Sequence, residues 1–309
     1  MTVAVTGHFN SGSNSLEKLI QNYLRFPGGQ VKSRSPWWKH NPQLYNKTWG
    51  EQCPKCVKDD TKHRHILPVV IVRDPIHWRR SMCKARYCTN WTELSEQTMT
   101  QRNKGLCLGE PSPGGCPKFT RDADTGLPRS HPVDFHLSEV PQRKWLHFES
   151  LVDLWHDYYS SYWNTDAPRL MVRFEDTIFH LAQVMESIRQ CVNGTYTNPN
   201  QTVAPIQESA KAHGAREKGG GKAGFLKILY RVASPSARIQ DLEDLELEYT
   251  ADFMKRWELF QKFGYAPPPR TASDTSNVDG TSSNQPLLES VVNDWFYHRV
   301  DGDDNSTST

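Results

Sequence analysis

A short polar stretch near the start of the chain has the residue types of an anion-binding turn. Residues 7–14 read Gly-His-Phe-Asn-Ser-Gly-Ser-Asn and lie between a strand pattern and a helix pattern. Backbone N–H groups in a turn that opens into a helix point toward one place and favour negative charge there. The stretch lacks the lysine of a Walker A loop, and an ordinary strand-to-helix turn capped by serines is the alternative. Gly12 permits close approach to the backbone, and three side chains add hydrogen-bond donors: Ser11, Ser13 and Asn14.

A second candidate group follows the most apolar run of the chain. Residues 67–72 read Leu-Pro-Val-Val-Ile-Val and predict a strand buried on both faces of a parallel sheet. Arg73 follows directly, at the strand end where α/β proteins bind ligands. Ser81 comes eight residues later, about two turns into a predicted helix, so a guanidinium and a hydroxyl are available to one phosphate. Alternatively, Arg73 pairs with Asp74 or Glu175, and Ser81 is merely exposed.

These two groups require a scaffold that brings the ends of separate strands together. Short β-branched or apolar runs at residues 2–6, 67–72 and 169–174 predict strands. Apolar residues at helical spacing predict helices between and after them. The expected fold class is therefore α/β, with a central parallel sheet flanked by helices. The predicted helices begin near Leu16 and Pro75 and cover residues 149–163, 178–191 and 242–263.

The composition describes a folded chain without a strong overall charge. Of 309 residues, 37 are Lys or Arg and 35 are Asp or Glu, which gives a net charge of +2. This balance provides no global field for DNA or an anionic membrane, so neither is expected as a partner. Hydrophobic residues make up 36% of the chain, which excludes a fully disordered protein, and no apolar run is long enough to span a membrane.

The cysteines leave the redox environment open. Six of the seven lie within residues 53–116, and the odd total leaves at least one thiol outside any intramolecular disulfide. Clustering favours an oxidising compartment, whereas the lack of a recognisable signal peptide argues against one. Cys53 and Cys56 have poor spacing for a zinc site with His63 and His65, so disulfides or thiols are expected there and no metal is predicted.

Taken together, the two candidate groups resemble the donor-binding motifs of one enzyme family, the sulfotransferases that use 3′-phosphoadenosine 5′-phosphosulfate (PAPS). Residues 9–14 are similar to the family's Pro-Lys-Ser-Gly-Thr-Thr loop, and Arg73-Asp-Pro followed by Ser81 matches its second motif at the usual spacing. The likeness covers roughly residues 3–265. It implies a P-loop-like sulfotransferase topology in which residues 10–14 hold the 5′-phosphosulfate, and Arg73 and Ser81 hold the 3′-phosphate.

The resemblance also implies roles for residues outside these motifs. Residues 38–42, Trp-Lys-His-Asn-Pro, look like the family's Lys-Thr-His-Leu-Pro segment with one residue fewer, which makes His40 the base for the acceptor proton. The family's loop lysine falls on the uncharged Asn10, so Lys39 is the expected stabiliser of the leaving oxygen. Lys218 lies in a Lys/Gly segment that resembles the one closing the family's donor site. A solvated loop is the alternative for both basic segments.

The domain division follows from the extent of this likeness. The sulfotransferase domain is expected at residues 1–265, with insertions near 43–65 and 100–140 that would meet the acceptor. A linker is expected at residues 266–286, and an amphipathic segment with a polar tail at 287–309.

Two functions are consistent with these patterns. The first is transfer of a sulfo group from PAPS to a hydroxyl or amine of a small-molecule or glycan acceptor, without a metal. The second is a non-catalytic nucleotide-binding or scaffold protein that retains the fold, which the neutral Asn10 favours. The expected compartment is the cytoplasm if Met1 is the true start, and the Golgi lumen if an N-terminal anchor is missing.

Overall fold

The structure is a computed structural model of the chain. It describes residues 2–27, 39–41, 66–84, 89–91, 116–136, 145–165, 169–205 and 222–271. Several predictions lie outside these residues: those for Lys218, the cysteine–histidine pattern at 53–65, the insertion near 43–65, most of the linker at 266–286, and the segment at 287–309.

The described chain contains both strands and helices, with a run of five strands in its middle part and four helices after the last strand. The strands are β1 (Thr2–Thr6), β2 (Leu24–Arg25), β3 (Ile66–Val72), β4 (Thr89–Trp91), β5 (Thr120–Arg121), β6 (Pro128–Arg129), β7 (Val133–His136), β8 (Trp145–Phe148), β9 (Leu170–Arg173) and β10 (Thr195–Tyr196). The helices are α1 (Ser13–Tyr23), α2 (Pro75–Lys84), α3 (Leu151–Trp163), α4 (Asp176–Phe179), α5 (Leu181–Cys191), α6 (Lys222–Ala233), α7 (Pro235–Ile239), α8 (Asp244–Arg256) and α9 (Glu258–Lys262). Within the described ranges, no helix combines the length and the apolar character needed to cross a membrane.

A three-stranded parallel sheet with the order β1–β3–β9 forms the centre of the fold. Val5 of β1 lies opposite Val69 of β3, and Val70 lies opposite Met171 of β9. Because the strands are parallel, their carboxyl ends lie at the same edge of the sheet. The predicted α/β class, with a parallel sheet flanked by helices, is confirmed.

Helices cover both faces of this sheet, which explains why β3 is apolar along its length. Val69 and Ile71 belong to a buried cluster with residues of α1 and α5. Val70 and Val72 belong to a second cluster with residues of α2, α3, α8 and α9. Alternate residues of a strand face opposite sides, so a strand with helices on both sides needs apolar residues at successive positions.

A small antiparallel sheet with the order β4–β7–β8 joins the second cluster. Val133 and Phe135 of β7 are fully buried, although they lie in the insertion predicted near residues 100–140. The structure differs here because the sequence Val-Asp-Phe-His alternates apolar and polar residues and places both apolar side chains on one face. Part of the expected insertion therefore belongs to the core.

The helix predicted for residues 242–263 is divided in the structure into α8 and α9. Trp257 separates them with an extended backbone, at φ −122 and ψ 118. Its ring packs against the ring of His156 in α3, with 4.4 Å between the ring centroids. The tertiary contact accompanies the break in a region where the local pattern alone favours an unbroken helix. Helices α6 and α7 were not predicted.

Candidate functional site

The loop between β1 and α1 makes a tight turn at the carboxyl edge of the sheet. Asn10 and Gly12 both have a left-handed backbone, with φ of 60 and 99. The amide and the hydroxyl of Ser11 both donate to the carbonyl oxygen of His8, at 3.2 and 2.7 Å. A Cβ atom at Gly12 would lie 2.5 Å from the ring of Phe174, which follows β9. Glycine is required at this position for conformation and for space.

Arg73, at the end of β3, connects this loop to helix α2. Its Nη1 donates to the carbonyl oxygen of Asn10 at 2.8 Å and to the hydroxyl of Ser81 at 3.1 Å. The side-chain amide of Asn10 in turn donates to the carbonyl oxygen of Ser81 at 3.2 Å. The guanidinium also lies 4.8 Å from the ring centre of Phe174. The structure therefore brings together Arg73, Ser81 and the loop.

The carboxylates beside Arg73 form hydrogen bonds and ion pairs with other groups. Asp74 pairs with Arg238 of α7 at 2.9 Å, and its Oδ1 accepts from two backbone amides at the start of α2. The two oxygens of Glu175 accept from the Asp74 amide at 3.1 Å and from the Tyr265 hydroxyl at 2.9 Å. The described contacts therefore include no direct ion pair of Arg73 with Asp74 or Glu175, which was the alternative interpretation.

Burial affects the ionisation of both Arg73 and Glu175. Desolvation lowers the pKa of Arg73, while the negative charges of Glu175 and Asp74 act in the opposite direction. Desolvation raises the pKa of Glu175, and repulsion from Asp74 raises it further. The hydrogen bonds of the Arg73 guanidinium go to the carbonyl oxygen of Asn10 and the hydroxyl of Ser81, which are neutral groups, and neither carboxylate forms an ion pair with it among the described contacts.

Lys39 lies against the helical end of the loop. Its Nζ donates to Asn14 Oδ1 at 2.6 Å and pairs with Glu17 Oε2 at 2.7 Å. The Lys39 carbonyl oxygen accepts from the Thr6 hydroxyl at 2.7 Å and from the Gly7 amide at 3.0 Å. The lysine is thus next to the predicted phosphosulfate site, with its charge balanced by Glu17.

His40 is held against the same loop by its ring. Its Nδ1 lies 2.7 Å from the carbonyl oxygen of Gly7, which can only accept, so Nδ1 carries the proton. The ring stacks on Phe9 at 4.1 Å between centroids. Burial, together with the charge of Lys39, lowers the pKa of His40 to about 3. The imidazole is neutral at neutral pH, and its Nε2 carries the lone pair that a base requires.

Two tryptophans hold the site from the core side, and neither is among the predicted site residues. The indole N–H of Trp78 donates to the Phe9 carbonyl oxygen at 2.7 Å, and that of Trp155 donates to the Arg73 carbonyl oxygen at 2.8 Å. Both side chains are fully buried. Their helical spacing is that of ordinary core residues, so no sequence signal distinguishes these positioning roles.

The remaining predicted site residues are less informative. Ser13 is the first residue of α1 and is buried. Lys218 is outside the described residues. Among the residues that are described, no three His, Cys, Asp or Glu side chains form a group that could hold a metal ion.

The arrangement concentrates hydrogen-bond donors at the edge where three strands end. Comparison of the chain with family models, with curated proteins and with solved structures gives no match. The contacts of the chain itself are therefore the support for its function.

Proposed function

We propose that this chain is a sulfotransferase that uses PAPS as donor and has a P-loop-like topology. The observation that carries the proposal is the double contact of Arg73 Nη1, with the loop carbonyl of Asn10 at 2.8 Å and with the Ser81 hydroxyl at 3.1 Å. This contact joins the ends of β1 and β3 to helix α2. Those are the three elements that the family resemblance assigns to the two ends of the donor.

The donor would bind by charge and hydrogen bonding along this edge. Backbone amides and side chains of residues 10–14 would hold the 5′-phosphosulfate, and Arg73 with Ser81 would hold the 3′-phosphate. Arginine presents several donors in one plane, which suits a phosphate group. Positioning and charge stabilisation supply the catalysis in such a transfer, and no metal is invoked.

His40 is the proposed base. As the acceptor oxygen or nitrogen forms its bond to sulfur, the bond between sulfur and the bridging oxygen breaks, and adenosine 3′,5′-bisphosphate leaves. The acceptor proton goes to Nε2 of His40, whose Nδ1 is already protonated and bound to the Gly7 carbonyl. The anionic donor would raise the pKa of this buried ring, because a nearby negative charge favours the imidazolium form.

A non-catalytic nucleotide-binding protein is the second candidate, and one contact favours it. Lys39 is paired with Glu17 at 2.7 Å, and the loop position of the family's lysine is the neutral Asn10. For catalysis, the Lys39 ammonium must act on the leaving oxygen while Glu17 remains close. A protein that only binds the nucleotide has no such requirement.

Two measurements on the full chain test the proposal. Calorimetry should detect binding of adenosine 3′,5′-bisphosphate, and incubation with labelled PAPS should transfer label to a member of a panel of glycans, phenols and lipids. Binding without transfer would select the non-catalytic candidate. Absence of binding would overturn the assignment of the donor site.

A further inference from the structure

A group of cationic side chains surrounds His77, where α7 packs on α2. Arg80 of α2 donates from Nη1 to the Ala237 carbonyl oxygen at 2.8 Å, and the next residue, Arg238, pairs through Nε with Asp74 at 2.9 Å. The charges of Arg73, Arg238 and Arg80 all act on the His77 ring. The three guanidinium groups therefore lie around one buried side chain.

Each of these guanidinium groups has an unused donor that is shielded from solvent. Arg73 Nε, Arg80 Nε and Nη2, and Arg238 Nη2 are buried and have no hydrogen-bond partner. A buried charged donor without a partner costs more than an ordinary lost hydrogen bond. Buried polar groups in folded proteins are rarely left in this state, so four such atoms in one cluster indicate a missing acceptor.

The charges in this cluster are also unbalanced. Asp74 pairs with Arg238, but no ion pair joins Arg73 or Arg80 to a described carboxylate. Glu175 and Asp74 act on Arg73 without an ion pair. Asp241, Glu246 and Asp74 act on Arg80 in the same way, and Glu246 is paired with Arg79. Arg231 adds a further positive charge near Arg80. Burial and the nearby arginines lower the pKa of His77 to about 4, although Asp74 opposes this, so the ring adds no charge at neutral pH.

We propose that Arg80 and Arg238 bind a phosphate dianion together with Arg73 and Ser81. Hydroxyl and guanidinium groups are the donors that phosphate prefers, and several arginines can share one such anion. Arg238 is able to take part because its side chain is still 18% exposed and lies on the short helix α7. The ligand would supply the acceptor that the unused N–H groups lack.

This inference rests on the proposed function, and it narrows that function. In a PAPS-dependent enzyme the dianion at this position is the 3′-phosphate of the donor. Arg80 and Arg238 would then distinguish a 3′,5′-bisphosphate from a 5′-monophosphate. This selectivity would come from α7, which lies outside the motifs that suggested the family.

Calorimetry on four variants of the full chain tests the inference. For Arg80→Gln and for Arg238→Gln, the affinity for adenosine 3′,5′-bisphosphate should fall about tenfold or more, whereas the affinity for adenosine 5′-monophosphate should stay within about twofold. Arg189→Gln is the matched control, because Arg189 pairs with Glu186 on α5, away from the cluster. It should change neither affinity. Arg80→Lys keeps the charge and should lose less than Arg80→Gln.

The outcomes separate this inference from the proposed function. Unchanged affinity for the bisphosphate, or an equal loss for both nucleotides in variants that melt like the wild type, would overturn the role of Arg80 and Arg238. If the wild type binds neither nucleotide, the melting temperature in inorganic phosphate shows whether the arginine cluster binds phosphate. A rise in the wild type that is lost in both glutamine variants would support a site for free phosphate, and no rise would overturn the site.

Discussion

At the scale of single residues, the ring of His40 has a fixed tautomer and a lowered pKa. Its proton is fixed on Nδ1 by the Gly7 carbonyl, and its pKa is lowered to about 3 by burial. For His40→Gln we expect turnover to fall by about 10²–10⁴, because a base acts in the transition state, with donor affinity nearly unchanged. Transfer of label from PAPS and calorimetry measure the two effects.

The control for this variant is His147→Gln. His147 is exposed and contacts Asp134, outside the candidate site. It should retain full turnover. Full activity in His40→Gln would show that another group, with Glu175 next in line, takes the proton.

Arg73 is the residue whose removal should affect donor binding most directly. Arg73→Ala deletes the charged donors that face Asn10 and Ser81. We expect the binding free energy for adenosine 3′,5′-bisphosphate to weaken by about 1.5–3 kcal/mol, as is typical of a hydrogen bond to a charged group. Calorimetry is the measurement, with Arg189→Ala as a variant that should bind normally. Wild-type affinity in a folded Arg73→Ala protein would contradict the assignment.

At the scale of the elements, the turn between β1 and α1 depends on a glycine, Gly12, directly before the helix. Gly12 has φ 99, and a Cβ there would meet the Phe174 ring at 2.5 Å, whereas Gly126, at φ 67, has nothing within 4 Å of its Cβ position. For Gly126→Ala we expect a loss of about 1 kcal/mol in the free energy of unfolding, from backbone strain alone. For Gly12→Ala we expect about 2–4 kcal/mol, because overlap with the ring adds to the strain. Urea unfolding of both variants measures the difference, and equal losses would mean that the loop and Phe174 are not in contact.

A disulfide between Cys83 and Cys116 joins the end of α2 to the segment before β5, across a sequence separation of 33. A crosslink over a loop of this length reduces the conformational entropy of the unfolded chain and contributes about 2–4 kcal/mol to the free energy of unfolding. We expect the double variant Cys83→Ala/Cys116→Ala to lose about this much free energy of unfolding. Cys191→Ala, which removes a free thiol, is the control. A double variant as stable as the wild type would show that the two sulfurs are not bonded.

The sequence is most informative where structure depends on neighbouring residues. The apolar run at 67–72 and the proline at 75 predict β3 and the start of α2, which place Arg73 and Ser81, and the structure confirms both elements. The break at Trp257 accompanies a contact with His156, a residue far away in the chain. Patterns of apolar spacing carry no information about such contacts.

The same distinction applies within the site. The resemblance could assign Arg73 and Ser81 because both lie in one short motif. It could not show that Lys39 pairs with Glu17, or that the Trp155 indole holds the Arg73 carbonyl across 82 positions of the chain. These contacts depend on how α1 and α3 pack, which only the three-dimensional structure specifies.

For the molecule as a whole, a partly buried histidine makes stability depend on pH. Burial lowers the pKa of His156 to about 4, whereas an unfolded chain binds this proton near pH 6.5. Between these values the unfolded state holds more protons, so the contribution of His156 to stability is lost as the pH falls from about 6.5 to about 4. The variant His156→Phe keeps a ring beside Trp257 and removes the titrating group.

Urea unfolding at pH 7 and at pH 4.5 tests this linkage. The wild type should lose more free energy of unfolding between the two pH values than His156→Phe does. Ser160→Ala removes the contact of the Ser160 hydroxyl with the ring but keeps the imidazole, so it should show the wild-type pH dependence. Equal losses in the wild type and His156→Phe would contradict the lowered pKa of His156.

The order of β3, β9 and Tyr265 along the chain has a consequence for how this protein folds during translation. Translation produces β1 and β3 before β9, which can pair with β3 only after about a hundred further residues, and the Tyr265 hydroxyl reaches Glu175 across another 90 positions. Until then the nascent chain exposes an apolar strand edge and a carboxylate that lacks its hydroxyl partner. Such intermediates aggregate readily and are typical clients of chaperones. The edge of the sheet that carries the candidate site is therefore completed only after nearly all of the described core has been translated.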